Sequence, residues 1–240
     1  MLAAEALRLA AIEVLCPTAS LEAGGPFPTL AGRAVFDSEP ASLQSLDRNA
    51  PAGYTPVISL YTSEAAAQLM GEASAAVDTQ ASAMLVIIAE LAVVAEDNEG
   101  EFVAPMAEDD PEARMVLAAL CSQIRFKLER STAGGAWRRL VRRIERVDMS
   151  TFAAPDFGLK YQRVMMRFAC SIRDDEFDVE NGGLPEPIRS VHAALPANSY
   201  AKAKLAALAA HFAADPATAL EGAGIDTGTP VQGDVSLSDE

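Results

Sequence analysis

The stretch MLVIIAELAVVA, residues 84–95, decides the fold. Leu85, Ile87, Leu91 and Val93 point one way, and Met84, Val86, Ile88, Glu90 and Val94 point the other. That is the two-residue period of a strand. A strand apolar on both faces belongs in the middle of a sheet or at a contact between subunits. The run is also too short, and too charged at Glu90, to cross a membrane as a helix.

Upstream, TPVISLYT (55–62) carries the β-branched and aromatic residues of a second strand over Pro56–Thr62. The Ala-rich piece between them, Ser63–Thr79, reads as weak helix or loop. Residues 17–55 are rich in Pro and Gly and read as loop, with a short strand at Ala34–Asp37. Before them, Leu2–Leu15 has the spacing of a helix apolar over most of its surface, and Pro17 stops it. Glu5, Arg8 and Glu13 lie within this apolar stretch, which favours a buried helix over a signal peptide.

Downstream, Glu96–Asp110 reads as an acidic connection. Asp110 offers an N-cap, Pro111 fits the first helical position and Glu112 the first turn. Leu117, Leu120, Ile124 and Leu128 then continue a helix to Arg130. Arg125, Lys127 and Arg130 complement the negative end of its dipole. After Gly134-Gly135, WRRLVRRI (137–144) reads as a short amphipathic helix with Trp137 as a core anchor. A strand is expected from Arg146 to Phe152, a turn at Pro155–Gly158, and a return strand with clear alternation. Val164, Met166, Phe168, Cys170 and Ile172 face one side, and Arg163, Met165, Arg167, Ser171 and Arg173 the other.

These elements predict an α+β domain over residues 1–174, with a mostly antiparallel sheet of about four strands flanked by helices. Residues 175–215 predict a helical appendage, Pro187–Leu195 and Asn198–Ala214, hinged at Pro196. Residues 216–240 have no basic and no aromatic residue and read as a disordered acidic tail.

The net charge of −15 argues against nonspecific nucleic-acid binding by the whole chain. The charge is unevenly spread. Between Arg114 and Arg173 lie 13 of the 19 basic residues and only four acidic ones, so this segment is about +9 and the rest about −24. Such asymmetry predicts a basic face that meets an acidic surface, including one on a second copy. Arg138, Arg139, Arg142, Arg143, Arg163 and Arg167 are the candidate contact residues. The same arginines could grip phosphates, but Trp137 is the one aromatic residue beside the 138–146 cluster, which argues against base stacking.

Little else carries chemistry. Cys16, Cys121 and Cys170 are far apart and set among apolar residues, so reduced core thiols in a cytosolic chain are expected rather than nucleophiles paired with His192 or His211. The acidic run 174–180 lacks the glycine and closing glutamate of a calcium loop. Phosphate-binding, dinucleotide-binding, nucleophile-elbow and zinc signatures are missing too. The expectation is no catalytic residue, no cofactor and no metal.

Taken together, Leu2 to about Asp174 resembles the tail terminator proteins of long-tailed bacteriophages. The resemblance rests on the N-terminal helix, TPVISLYT (55–62), MLVIIAELAVVA (84–95), DDPEARMVLAALCSQI (109–124), WRRLVRRI (137–144) and LKYQRVMMRFACSIRD (159–174). It covers roughly 70% of the chain and is one of element order, not of an invariant signature. It implies a non-enzymatic virion protein that forms a hexameric ring with itself at the head-proximal end of the tail tube. The implied partners are the tail tube protein and the head–tail connector or neck protein, with DNA passing through the lumen without specific binding. A neck or head-completion ring of the same junction is the alternative it leaves open. A small cytosolic α+β enzyme and a nucleic-acid-binding module are the readings from other classes.

Overall fold

A computed structural model describes residues 1–46, 53–69, 79–97, 100–106, 111–130, 135–154, 159–178 and 182–212. The elements are α1 (Leu2–Leu15), α2 (Thr18–Ala23), β1 (Val35–Asp37), β2 (Thr55–Leu69), β3 (Thr79–Asp97) and β4 (Gly100–Pro105). Next come α3 (Pro111–Arg125), running into a π turn at Phe126–Arg130, then α4 (Gly135–Leu140), β5 (Val141–Ala154) and β6 (Leu159–Ile172). Two helices close the described chain, α5 (Ile188–Ala194) and α6 (Tyr200–Ala209).

The class is α+β, as expected, but the sheet is larger and mixed. It has six strands in the order β1-β2-β3-β6-β5, with β4 also paired to β3. β1 runs parallel to β2 and every other pairing is antiparallel. This corrects the expected four mostly antiparallel strands. The additions come from segments whose own propensities are weak. The Ala-rich piece expected as weak helix or loop is strand as far as Leu69, because β3 pairs it from Met84 back to Thr79, with one register shift between Ser63 and Ala65. A partner strand outweighs alanine's helical preference. β4 lies inside the expected acidic connection and folds back on the end of β3, Val94 opposite Val103. Met106 prolongs that line, donating to the Leu91 carbonyl and accepting from the Gln162 amide at 2.7 Å each.

The helix expected over 137–144 is also corrected. α4 ends at Leu140, and Val141 already pairs with Ile172 of β6. WRRLVRRI fits a helical period, but β6 offers a partner along its length. Register shifts at Val141/Arg143 and Ile144/Arg146 then turn Val141, Ile144 and Val147 inward. The expected N-cap at Asp110, the turn at Pro155–Gly158 and the tail 216–240 lie outside the described residues.

The core sits on one face of the sheet, here called the front. Ala81, Ala83, Leu85, Ile87, Ala89 and Leu91 of β3 meet Ile58 and Leu60 of β2 and Met166, Phe168, Cys170 and Ile172 of β6. α1, α3 and α4 close over them. Ten of the 14 residues of α1 are buried, so its near-uniform apolarity is the signature of a helix inside the protein. Trp137 is 1% exposed, and its indole Nε1 donates to the Leu128 carbonyl at 3.1 Å, which joins α4 to the end of α3. α5 and α6, expected as an appendage, join this same core through Ile188, Val191, Leu195, Ala201 and Leu205.

Long-range polar ties complete the frame. The Asp175 carboxylate accepts from the Leu2 and Ala3 amides at 2.7 and 2.8 Å, satisfying donors that α1 cannot pair itself. Arg8 of α1 binds Asp37 of β1 and Glu5, and Tyr200 of α6 donates to Asp37 at 2.9 Å.

Candidate subunit and partner interface

β1 and β5 are the two ends of the strand order, so both present backbone that pairs with no further strand among the described residues. Natural sheets protect such edges with charge and with bulges. β5 has both. Along it runs an open groove of about 430 Å³, lined by Arg125, Glu129, Arg130, Arg138, Val141, Arg143, Ile144, Glu145, Arg146 and Val147. Five arginines face two glutamates there, a net of three positive charges. Arg125 binds Glu129 at 2.6 Å and Arg143 binds Glu145 at 2.9 Å. Arg138 donates to the Glu129 carbonyl at 2.9 Å. Arg146 binds Asp148 at 2.7 Å just outside the lining, so five arginines stand against three carboxylates.

The six arginines expected as contact residues fall into separate places. Arg138 and Arg143 line the groove. Arg139 on α4 and Arg142 on β5 are exposed outside its lining. Arg163 and Arg167 project from the back of the sheet, opposite the core. Arg163 binds the Glu90 carboxylate, whose side chain is 5% exposed, and stacks over the Phe152 ring at 5.5 Å. Arg167 stands across from Asp148, which also accepts from Arg146 at 2.7 Å. Of the groove's arginines, the expected contact set lacked Arg125, Arg130 and Arg146. Arg125 and Arg130 read as helix-end cations, and nothing in their spacing shows that α3 ends beside β5.

At the other edge is a smaller pocket of about 220 Å³ beside β1. Its walls are Ile12, Glu13, Cys16, Thr18, Leu21, Arg33, Val35, Phe36, Asp37, Glu39 and Tyr200. Three carboxylates face one arginine here. Burial, reinforced by the hydrogen bond to Asp37, pushes the Tyr200 hydroxyl up to about 12.

All three cysteines are buried and free. Burial pushes the Cys121 thiol up to about 11 and Cys170 to about 12, and raises Cys16 as well. Each is held as the unreactive thiol. Among the described residues no group of three His, Cys, Asp or Glu side chains could hold a metal ion, and no helix is long and apolar enough to cross a membrane. No protein family, curated protein or solved structure matches the chain.

Proposed function

We propose that the chain is a structural virion protein of the tail terminator kind. It forms a ring, of six copies by the resemblance, at the head-proximal end of a phage tail tube. There it ends tube polymerisation and meets the head connector. The observation that carries this reading is the cationic groove on the free edge strand β5, in a chain whose remainder is strongly acidic. A polarised subunit of this kind makes head-to-tail contacts, and such contacts close into a ring when the rotation allows. The negative remainder suits a lumen through which DNA slides without adhering.

Light scattering of the purified chain tests the ring. Six copies of 25.2 kDa give about 151 kDa. Negative-stain images of that species should show a six-fold ring. Added to polymerising tube protein, it should shorten the tubes and sit at one end. Binding to the connector without binding to the tube would replace this reading with the neck-ring reading. Binding to neither would remove both.

A further inference from the structure

We infer that the cationic groove on β5 accepts the β1 edge of a second copy of this chain. The inference rests on the ring reading and names the two surfaces that meet in it. Three observations converge. First, β1 and β5 lie at opposite ends of one sheet, so a contact between them is head-to-tail and continues from copy to copy.

Second, the charges match. The groove has five arginines against Glu129, Glu145 and the Asp148 that binds Arg146, and the β1 pocket has three carboxylates against Arg33. Two of these are internally engaged: Glu13 accepts from Thr18, and Asp37 from Arg8 and Tyr200. Glu39 is exposed, and so is Glu22 on α2, beside the pocket residue Leu21. Opposed charge of this kind steers encounter and fixes register.

Third, each surface has exposed apolar side chains on an element that lines it. Phe126 is 56% exposed in the turn that carries Arg130. The pocket beside β1 has Ile12, Val35 and Phe36 in its walls, with Leu21 41% and Tyr200 46% exposed at it. Its 220 Å³ compares with about 150 Å³ for a cavity that holds benzene. The Phe126 ring carries the Lys127 ammonium at 5.8 Å, and aromatic and arginine side chains are enriched at the cores of interfaces. Phe126 of one copy therefore enters the β1 pocket of the next, with Arg130 and Arg138 towards Glu22 and Glu39.

The test is charge exchange on the full chain, read by sedimentation velocity at low and high salt. One variant is Arg130→Glu with Arg138→Glu, the other Glu22→Arg with Glu39→Arg. Each variant alone should run as a monomer and still melt cooperatively, since all four side chains are exposed and the bonds lost are those of Arg138 to the Glu129 carbonyl and of Asn198 to Glu22. An equimolar mixture should recover the wild-type assembly, because each reversed edge then meets a reversed partner. Phe126→Ala should weaken assembly at least tenfold without changing the melt. Assembly of either variant alone at wild-type strength overturns the edge pairing and leaves the ring reading in place. So does a mixture of folded variants that stays monomeric. A wild-type chain monomeric at every concentration also overturns it, while tube binding still decides the terminator reading. Strongly salt-dependent capture of duplex DNA by wild type, lost in the arginine variant, would assign the groove to nucleic acid instead.

Discussion

The two faces of β3 are built from the same kind of residue and are used in opposite ways. On the front, Leu85, Ile87 and Leu91 are sealed under helices. On the back, Met84 and Ile88 stay half-buried, Ile88 opposite Met165, and charge interrupts the row: Glu90 binds Arg163, and Arg167 stands across from Asp148, which binds Arg146. Hydropathy alone does not separate these faces. What separates them is where the helices of the chain land, and α1, α3 and α4 land on the front.

Neighbouring isoleucines give the sharpest way to break this comparison. Ile87→Ala should cost about 2–5 kcal/mol, the range for a sealed core position. Ile88→Ala should cost roughly 1 kcal/mol, as expected for a half-buried side chain. Urea midpoints of the two variants measure the difference. Equal costs would mean that the back face is covered as fully as the front.

Glu90 comes next. Removing a buried carboxylate that is bound to an arginine should cost about 2 kcal/mol, the scale of a charge-assisted hydrogen bond. Glu90→Gln and Arg163→Gln, alone and combined, should show the coupling in a double-mutant cycle. Additive effects would show that the back-face charges act independently. Asp175→Ala should be milder, about 1 kcal/mol, the usual cost of a lost cap. Its melting temperature should fall while that of Phe126→Ala holds.

The smallest effect near neutrality concerns the front-face thiols. Cys121 and Cys170 ionise at about 11 and 12 in the folded chain against an ordinary value of 9.0. The folded state therefore holds these protons longer than the unfolded state. Their contribution is fully present below pH 9 and is lost as pH rises from there through the folded values. Stability measured from pH 7 to 10.5 should stay flat and then fall. A Cys121→Ala, Cys170→Ala variant should fall less. A thiol reagent should label neither cysteine in the native protein at pH 8.

Much of the frame is legible in the residues. α1 runs from Leu2 to Leu15 as its apolar spacing indicates, and α3 with its π turn spans the expected helix. The alternation from Val164 to Ile172 places the right side chains in the core. What escapes is decided by partners distant in the chain. The alanines after Ser63 become strand because β3 lies alongside, and Val141–Ile144 becomes strand because β6 does. The candidate interface suffers most from this. Its arginines are visible as a cluster of charge. Their division between groove and back face follows from the register of β5 against β6 and from the packing of the α3 end beside β5.

The cap on α1 also orders events in time. The amides of Leu2 and Ala3 find their acceptors only at Asp175, 173 and 172 residues further along. At about 5–20 residues per second, translation takes roughly 9–35 s to cover that distance. Until Asp175 leaves the ribosome, α1 has neither its cap nor α5 and α6, which pack on it and follow later still. A helix made early is thus among the last to be finished. A ribosome stalled before Asp175 would display its greasy surface to chaperones rather than to its own core.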